Sequence, residues 1–162
     1  MAKEQEQKQD QMRSYGLIGK DIDYSFSRNY FKNKFSREKL EASYVNFDIV
    51  NTQKLRELLH TSQAQGYNVT IPYKEDVKPL LDTITSDASQ IGAVNTIKRT
   101  EDGRLIGYNT DYIGFRDSLL PLISDLDFGK ETYKALILGT GGASKGVKYA
   151  LDKLGIDSQF IS

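Results

Sequence analysis

Apolar residues recur along this chain in short bursts whose spacing alternates between every second position and about every 3.6 positions, with glycine, proline and polar clusters between them. Ser14 to Ile18 reads as a strand closed by Gly19. The polar stretch Lys20 to Ser27 then leads into a helix expected over about residues 28–39, which puts Ser25 and Ser27 at a helix entrance. Tyr44, Val45, Phe47 and Ile49 mark a second strand, and Leu55, Leu58 and Leu59 share one face of a helix that Gly66 is expected to terminate. Val69 to Ile71 is expected as a third short strand stopped by Pro72, with Tyr73 to Leu81 resuming as helix until Pro79 disturbs it. Lys74 thereby falls just beyond a strand's carboxyl end. Ala93 to Lys98 and Leu105 to Tyr108 flank Thr100-Glu101-Asp102-Gly103, whose Asp-Gly step signals a hairpin and adds an antiparallel pair to an otherwise mainly parallel sheet.

Asn109-Thr110-Asp111 leads into a helix expected over about Tyr112 to Ile123, and the polar segment Ser124 to Thr132 separates it from a further strand, Lys134 to Leu138. Directly after that strand comes Gly139-Thr140-Gly141-Gly142-Ala143-Ser144. Val147, Leu151 and Leu154 then give a helix with Gly155 as its terminator, and Gln159-Phe160-Ile161 a second parallel strand. The expected fold class is α/β: a mainly parallel sheet with flanking helices, followed by an incomplete Rossmann-like β-α-β unit. Residues 1–11 read as a disordered, solvated tail, 12–123 as a substrate-binding catalytic domain, and 124–162 as a connecting segment plus the opening of a truncated dinucleotide-binding domain.

Composition narrows the function classes. In 162 residues, 38% hydrophobic content and 27% charge, with no apolar run near the roughly 18–20 residues of a membrane span, point to a soluble globular chain without a membrane partner. Lysine plus arginine and aspartate plus glutamate balance at 22 each, so no net field draws the chain to nucleic acid; a small metabolite is the expected partner, and no assembly state is assigned. Without cysteine there is no thiolate chemistry or disulfide, which fits a reducing, cytoplasmic setting. The one histidine, His60, can build neither a histidine triad nor a multi-histidine metal site, and no metal is expected.

The glycine-rich loop suits a dinucleotide. Gly139 permits a tight turn, Gly141 lets the backbone approach a pyrophosphate, and the following helix offers free amides and the positive end of its dipole. Ser144 stands where the general G-x-G-x-x-G spacing has its last glycine, so the same segment also reads as a flexible strand-to-helix turn. Upstream, Gly66-Tyr67-Asn68-Val69-Thr70-Ile71-Pro72-Tyr73-Lys74 gathers an amide, a hydroxyl and an amine around a proline-fixed turn. Lys74 can donate or accept a proton where its surroundings are controlled, and is otherwise an ordinary exposed lysine. Asn95 and Asp111 fall at a strand and a helix entrance, where the sheet's carboxyl edge can gather them near Lys74; Asp111 can hold the amine or merely cap its helix. Ser25 and Ser27 can hydrogen-bond a carboxylate, or likewise cap a helix.

Taken in order, Gly16-Leu17-Ile18-Gly19 with Ser25-Phe26-Ser27, then Asn68 to Lys74, Ala93-Val94-Asn95-Thr96, Asn109-Thr110-Asp111 and Gly139 to Ser144 resemble the shikimate dehydrogenase family from about Tyr15 to the end of the chain. The resemblance implies reversible, NADP(H)-dependent reduction of 3-dehydroshikimate to shikimate on the route to aromatic amino acids. It assigns Ser25 and Ser27 to the substrate carboxylate. Thr70, Asn95 and Asp111 match positions that bind ring hydroxyls, with Asn68 nearby. Lys74 matches the catalytic lysine working beside Asp111, and Gly139 to Ala143 the cofactor phosphate loop. Tyr24 stands where the family frequently has histidine, and Arg28 where it often has proline. The residues that would tell NADP from NAD lie at or beyond the end of the last strand.

Three readings compete: an oxidoreductase sequence that stops early, a metabolite-binding or interaction module that transfers no hydride, and an unrelated nucleotide-binding protein. The first expects Lys74 and Asp111 to converge in one cavity. With the rest of the cofactor half missing, residues 1–162 alone are expected to bind NADP(H) weakly or not at all and to show negligible dehydrogenase activity. Robust shikimate-dependent NADPH formation by the purified chain, followed by absorbance, would overturn that expectation.

Overall fold

The computed structural model describes residues 12–124 and 133–161; the expected tail 1–11, most of the connecting segment at 125–132, and Ser162 lie outside the described residues. Strands β1 (Arg13–Gly19), β2 (Ala42–Asp48), β3 (Gly66–Val69), β4 (Thr83–Ile84), β5 (Thr96–Arg99) and β6 (Leu105–Tyr108) form one sheet in the order β2-β1-β3-β5-β6-β4. β1 pairs in parallel with β2 and β3, and β4 with β6, whereas β3–β5 and β5–β6 are antiparallel. A hairpin set into a mainly parallel sheet is therefore the observed arrangement. β7 (Lys134–Leu138) and β8 (Asp157–Ile161) form a separate parallel pair connected by α5 (Gly142–Lys153).

Alternation along β1 sends neighbouring side chains to opposite faces of the sheet. Ile18 joins the larger core with Val69, Tyr73, Val77, Val94 and Ile97, closed by Leu55 and Leu59 of α2 (Thr52–Thr61). Leu17 instead joins Ile22 and Tyr44 beneath Phe31 and Phe35 of α1 (Phe26–Arg37). A third cluster, Ile137, Leu151 and Ile156, packs against Phe115 and Leu119 of α4 (Asp111–Leu119), the helix that follows β6 in the chain. Leu136, Leu138, Phe160 and Ile161 are exposed.

Several expected boundaries move, each for a local reason. Helix α2 ends at Thr61 rather than at Gly66, because Arg99 closes it from across the sheet: its guanidinium donates to the carbonyls of Leu59 at 2.9 Å and Ser62 at 3.0 Å. Gly66 opens β3 instead, where an added Cβ would sit 2.9 Å from the Ile97 carbonyl oxygen of the neighbouring strand. β3 runs over Gly66–Val69 and not Val69 to Ile71, since the chain turns away towards Pro72, which has no N–H for the ladder. The helix expected over Tyr73 to Leu81 is a run of turns followed by a 3-10 turn at Lys78–Leu80. The Lys74 carbonyl, which an α-helix would offer to the Lys78 N–H, accepts from the Val94 N–H at 2.7 Å, and Lys78 turns to the Glu75 carbonyl.

β4 and α3 (Ser86–Ile91) carry no strong periodic signal and are too short to announce themselves in the sequence. The helix after Asp111 ends at Leu119, with a 3-10 turn over Leu120–Leu122 around Pro121. Helix α1 starts two positions earlier than expected, which places Ser25 at its cap and Ser27 inside its first turn.

Leu55 is fully buried against the sheet. Leu55→Ala is expected to destabilise the chain by about 2–5 kcal/mol, read as a lower urea midpoint. An unchanged midpoint would mean that α2 does not anchor this face.

Candidate functional site

The turn after β3 and the start of α4 bring together two residues far apart in sequence. Lys74 Nζ donates to Asp111 Oδ2 at 2.6 Å, with the lysine side chain 16% exposed and the carboxylate 37% exposed, so the pair is sheltered yet reachable. The Val94 N–H on the Lys74 carbonyl holds the lysine's backbone against the segment leading into β5. Asp111 is held from two directions. Asn95 Nδ2 donates to Asp111 Oδ1 at 2.7 Å, so each carboxylate oxygen has its own donor. Below it, Asn109, 3% exposed, donates from Nδ2 to the Ala93 carbonyl and accepts on Oδ1 from the Asp111 and Tyr112 N–H groups. The side chain of Asn109, one residue before the N-cap Thr110, and not that of Asp111 thus takes the first amides of α4, which leaves the Asp111 carboxylate free for the lysine.

Ser25, Ser27, Asn68, Thr70, Lys74, Asn95 and Asp111 all line one cleft of about 470 Å³ at the carboxyl ends of β1 and β3, with Leu17 and Ile22 as its apolar floor and Tyr24 and Phe26 at its rim. Every upstream candidate from the sequence is thus in one place. Ser25 caps α1, its Oγ accepting the Ser27 N–H at 3.2 Å, and it also lines the cleft. Thr70 is set by its N–H, which donates to the Ile18 carbonyl at 2.8 Å. A ligand with a carboxylate at the serine end and hydroxyls along its length would meet donors and acceptors throughout.

The glycine-rich loop lies on the other flank of the same pair. Gly139 has a φ of 88°, a left-handed conformation that favours glycine, and Gly141 opens α5 without a side-chain cap. Beside Gly141 a Cβ would meet nothing within 4 Å, which leaves the backbone open to a phosphate. An added Cβ on Gly142 would lie 3.3 Å from the Lys74 side chain and 3.4 Å from Ala93; one on Gly146 would lie 3.7 Å from Asp111 Cβ. Thr140, Ala143 and Ser144 complete the loop and the helix's first turn. Residues 139–144 therefore fit a pyrophosphate cradle, and α5 leans directly on Lys74 and Asp111. Among the described residues, no group of three or more His, Asp or Glu is placed to hold a metal, and no helix is long and apolar enough to cross a membrane.

Sequence reasoning did not single out Tyr44, Thr96, Thr110, or the Asp87 cluster. Thr110 and Thr96 extend the Asn95 network through Asn95 Oδ1, at 2.8 Å from the Thr110 N–H and 3.0 Å from Thr96 Oγ1. Asp87 of α3 accepts from Tyr112 Oη of α4 at 2.9 Å and from Tyr149 Oη of α5, tying three helices at one carboxylate; Lys153 Nζ sits 5.2 Å above the Tyr149 ring. Lys145 of α5 makes a parallel tie to Glu75 at 2.7 Å. The contacts of Asp87 and Lys145 join residues more than twenty positions apart, and no local period signals them. A second hollow of about 500 Å³ lies on the α1 face, lined by Tyr15, Phe31, Phe35, Tyr44 and Ile97; of the upstream candidates only Asn68 touches it.

Comparison with known proteins agrees with this geometry. The shikimate dehydrogenase substrate binding domain family matches residues 17–97. A shikimate dehydrogenase (NADP(+)) of Caldicellulosiruptor bescii is 36% identical over 155 residues, covering 93% of this chain and 52% of that protein. The crystal structure of shikimate dehydrogenase from Aquifex aeolicus superposes with a TM-score of 0.79 at 36% identity, covering 93% of this chain and 55% of that one. The Thermus thermophilus shikimate 5-dehydrogenase in complex with NADP(H) and shikimate gives 0.76 at 32% identity, with 92% and 55% covered. The chain thus spans about half the length of the relatives it matches.

Hydrogen bonds from Tyr149 and Tyr112 hold the Asp87 carboxyl below the ordinary carboxylate range. A carboxylate whose pKa is lowered on folding adds stability above its unfolded value, near pH 4, and loses it as pH falls through the lowered value. Asp87→Asn is therefore expected to lower the Tm at neutral pH and to flatten the fall of Tm below about pH 4. Identical Tm against pH curves for the two proteins would show that the helix tie contributes nothing.

Proposed function

The chain belongs to the shikimate dehydrogenase substrate binding domain family, and from that membership we propose that its cleft binds shikimate and 3-dehydroshikimate as the substrate half of an NADP(H)-dependent oxidoreductase. Residues 12–123 form the substrate-binding domain in this reading, and 124–162 the connecting segment and the opening of the dinucleotide-binding domain. The observation that carries it is the Lys74–Asp111 contact of 2.6 Å inside a cleft whose other polar side chains are those of Ser25, Ser27, Asn68, Thr70 and Asn95, apart from the Tyr24 phenol at its rim. Such a surface matches an acid with several hydroxyls on a small ring: directional polar groups and one amine around an apolar floor.

In this reading, the substrate carboxylate lies at the N-terminal end of α1, where Ser25 and Ser27 offer hydroxyls and the helix adds the positive end of its dipole. Asn68, Thr70, Asn95 and Asp111 take the ring hydroxyls, which fixes the reacting carbon beside Lys74. During reduction, negative charge grows on the carbonyl oxygen. Lys74 Nζ stabilises that charge and delivers a proton to the oxygen; during oxidation it takes the proton back from the alcohol. Asp111 aims the amine through Oδ2, and Asn95 on Oδ1 prevents the carboxylate from turning away. Residues 139–144 would hold the pyrophosphate of NADP(H), the nucleotide named for the relatives, through loop and α5 amides. When bound, that cofactor supplies or accepts the hydride.

Calorimetric titration of the chain with shikimate is expected to saturate at one site, with Ser25→Ala and Ser27→Ala each weakening binding by about tenfold. No heat of binding by the wild-type chain would defeat the reading. In a polypeptide that also carries the rest of the cofactor half, Lys74→Ala is expected to lower kcat by about 10²–10⁴ with little change in KM. Unchanged turnover would remove Lys74 from the chemistry.

A further inference from the structure

The polar cleft and the apolar hollow on the α1 face are separated by one layer of side chains. Tyr44 and Thr96 line the hollow, and Asn68 lines both sides. Tyr44 stands on β2, buried at 8% exposure, its ring stacked on Phe31 of α1 at 4.5 Å and 16°. Its hydroxyl donates to Asn68 Oδ1 at 2.8 Å. Asn68 Nδ2 in turn faces Thr96 Oγ1 at 3.4 Å, and the Thr96 hydroxyl donates to Asn95 Oδ1 at 3.0 Å. Asn95 is the residue whose amide holds Asp111. One hydrogen-bonded row thus runs from Tyr44 through Asn68, Thr96 and Asn95 to Asp111 and Lys74.

A side-chain amide has an acceptor end and a donor end of nearly the same shape, so its orientation is decided by its partners. A phenol that donates to Oδ1 commits that end of Asn68 to the wall. The NH2 is then the end left for the cleft and for Thr96. Burial pushes the Tyr44 phenol up from its ordinary value, which keeps it a neutral donor across the working pH range.

We propose that Tyr44 is a positioning residue for the substrate cleft: it fixes the Asn68 amide with its NH2 group towards the ligand, so that Asn68 recognises a ring hydroxyl as a hydrogen-bond acceptor. The identity of that ligand rests on the functional reading above. The orientation of Asn68 does not.

The test uses the chain with Tyr44→Phe, which keeps the ring and its stacking on Phe31 and removes only the hydroxyl. Phe31→Leu is the packing control, since it disturbs the stack and leaves the hydroxyl in place. Nitrogen-15 NMR follows the Asn68 side-chain NH2, identified by its disappearance in Asn68→Ala, and titration with shikimate gives the affinity. Tyr44→Phe is expected to shift the Asn68 NH2 resonances and speed their exchange with water, and to weaken shikimate binding by about tenfold. Phe31→Leu is expected to lower Tm while changing affinity less than about twofold. The double variant Tyr44→Phe/Asn68→Ala is expected to bind as weakly as Asn68→Ala alone, because one residue acts through the other. Unaltered Asn68 NH2 resonances in Tyr44→Phe, or fully additive losses in the double variant, would overturn the proposal. If the wild-type chain binds no shikimate, the functional reading fails, and the Asn68 resonances in the ligand-free proteins then decide the role of Tyr44 by themselves.

Discussion

A carboxylate between an amine and an amide organises this molecule. Asp111 can present one oxygen to Lys74 and the other to Asn95 only because Asn109 has taken the first amides of α4 and pinned its first turn to the Ala93 carbonyl. The pair is partly sheltered, and removing either partner would leave the other with fewer compensating contacts than water would supply. Three segments must therefore arrive together: the turn after β3 that carries Lys74, the approach to β5 that carries Asn95, and the end of β6 that carries Asn109. The sheet order places these segments side by side although they are spread over almost forty residues of sequence.

The hairpin is what makes the convergence possible. β3 pairs with β5 in antiparallel register, Asn68 opposite Thr96, so the end of β3 and the start of β5 lie at the same edge of the sheet. β6 then returns to that edge, with Tyr108 opposite Thr96. An all-parallel arrangement would place the start of β5 at the far edge and put Asn95 a strand's length from Lys74. The parallel pairing of β1 with β3 brings the start of α1, and with it the serines, to the same end.

Much of this was legible before any coordinates. The Asp-Gly step announced the hairpin, the glycine-rich loop announced the strand-to-helix turn of the second unit, and the polar residues singled out upstream all reach one cleft. What escaped was decided by partners distant in sequence. The Tyr73 to Leu81 segment has helix-like content, yet the Lys74 carbonyl is claimed by Val94, and no window around residue 74 contains that competitor. Gly66 looks like a helix stop until Arg99, over thirty residues away, is seen closing α2. The ties of Tyr44 and Thr96 to Asn68 escaped for the same reason: strand register decides which aromatic on β2 stands behind Asn68, and alternation alone leaves that register open.

Helix α5 rests on the site without a side chain between them, because Gly142 meets Lys74 and Gly146 meets Asp111. Contact that bare is stiff: there is no flexible spacer to absorb a tilt or a slide of the helix, so the amine and the acid would feel displacement of the loop region almost undamped. Any ligand that pressed on the loop at 139–144 would therefore press on the helix that meets the amine and the acid. A methyl group added at position 142 would ask the Lys74 side chain to give by a few tenths of an ångström, whereas one at position 146 would meet Asp111 at ordinary contact distance.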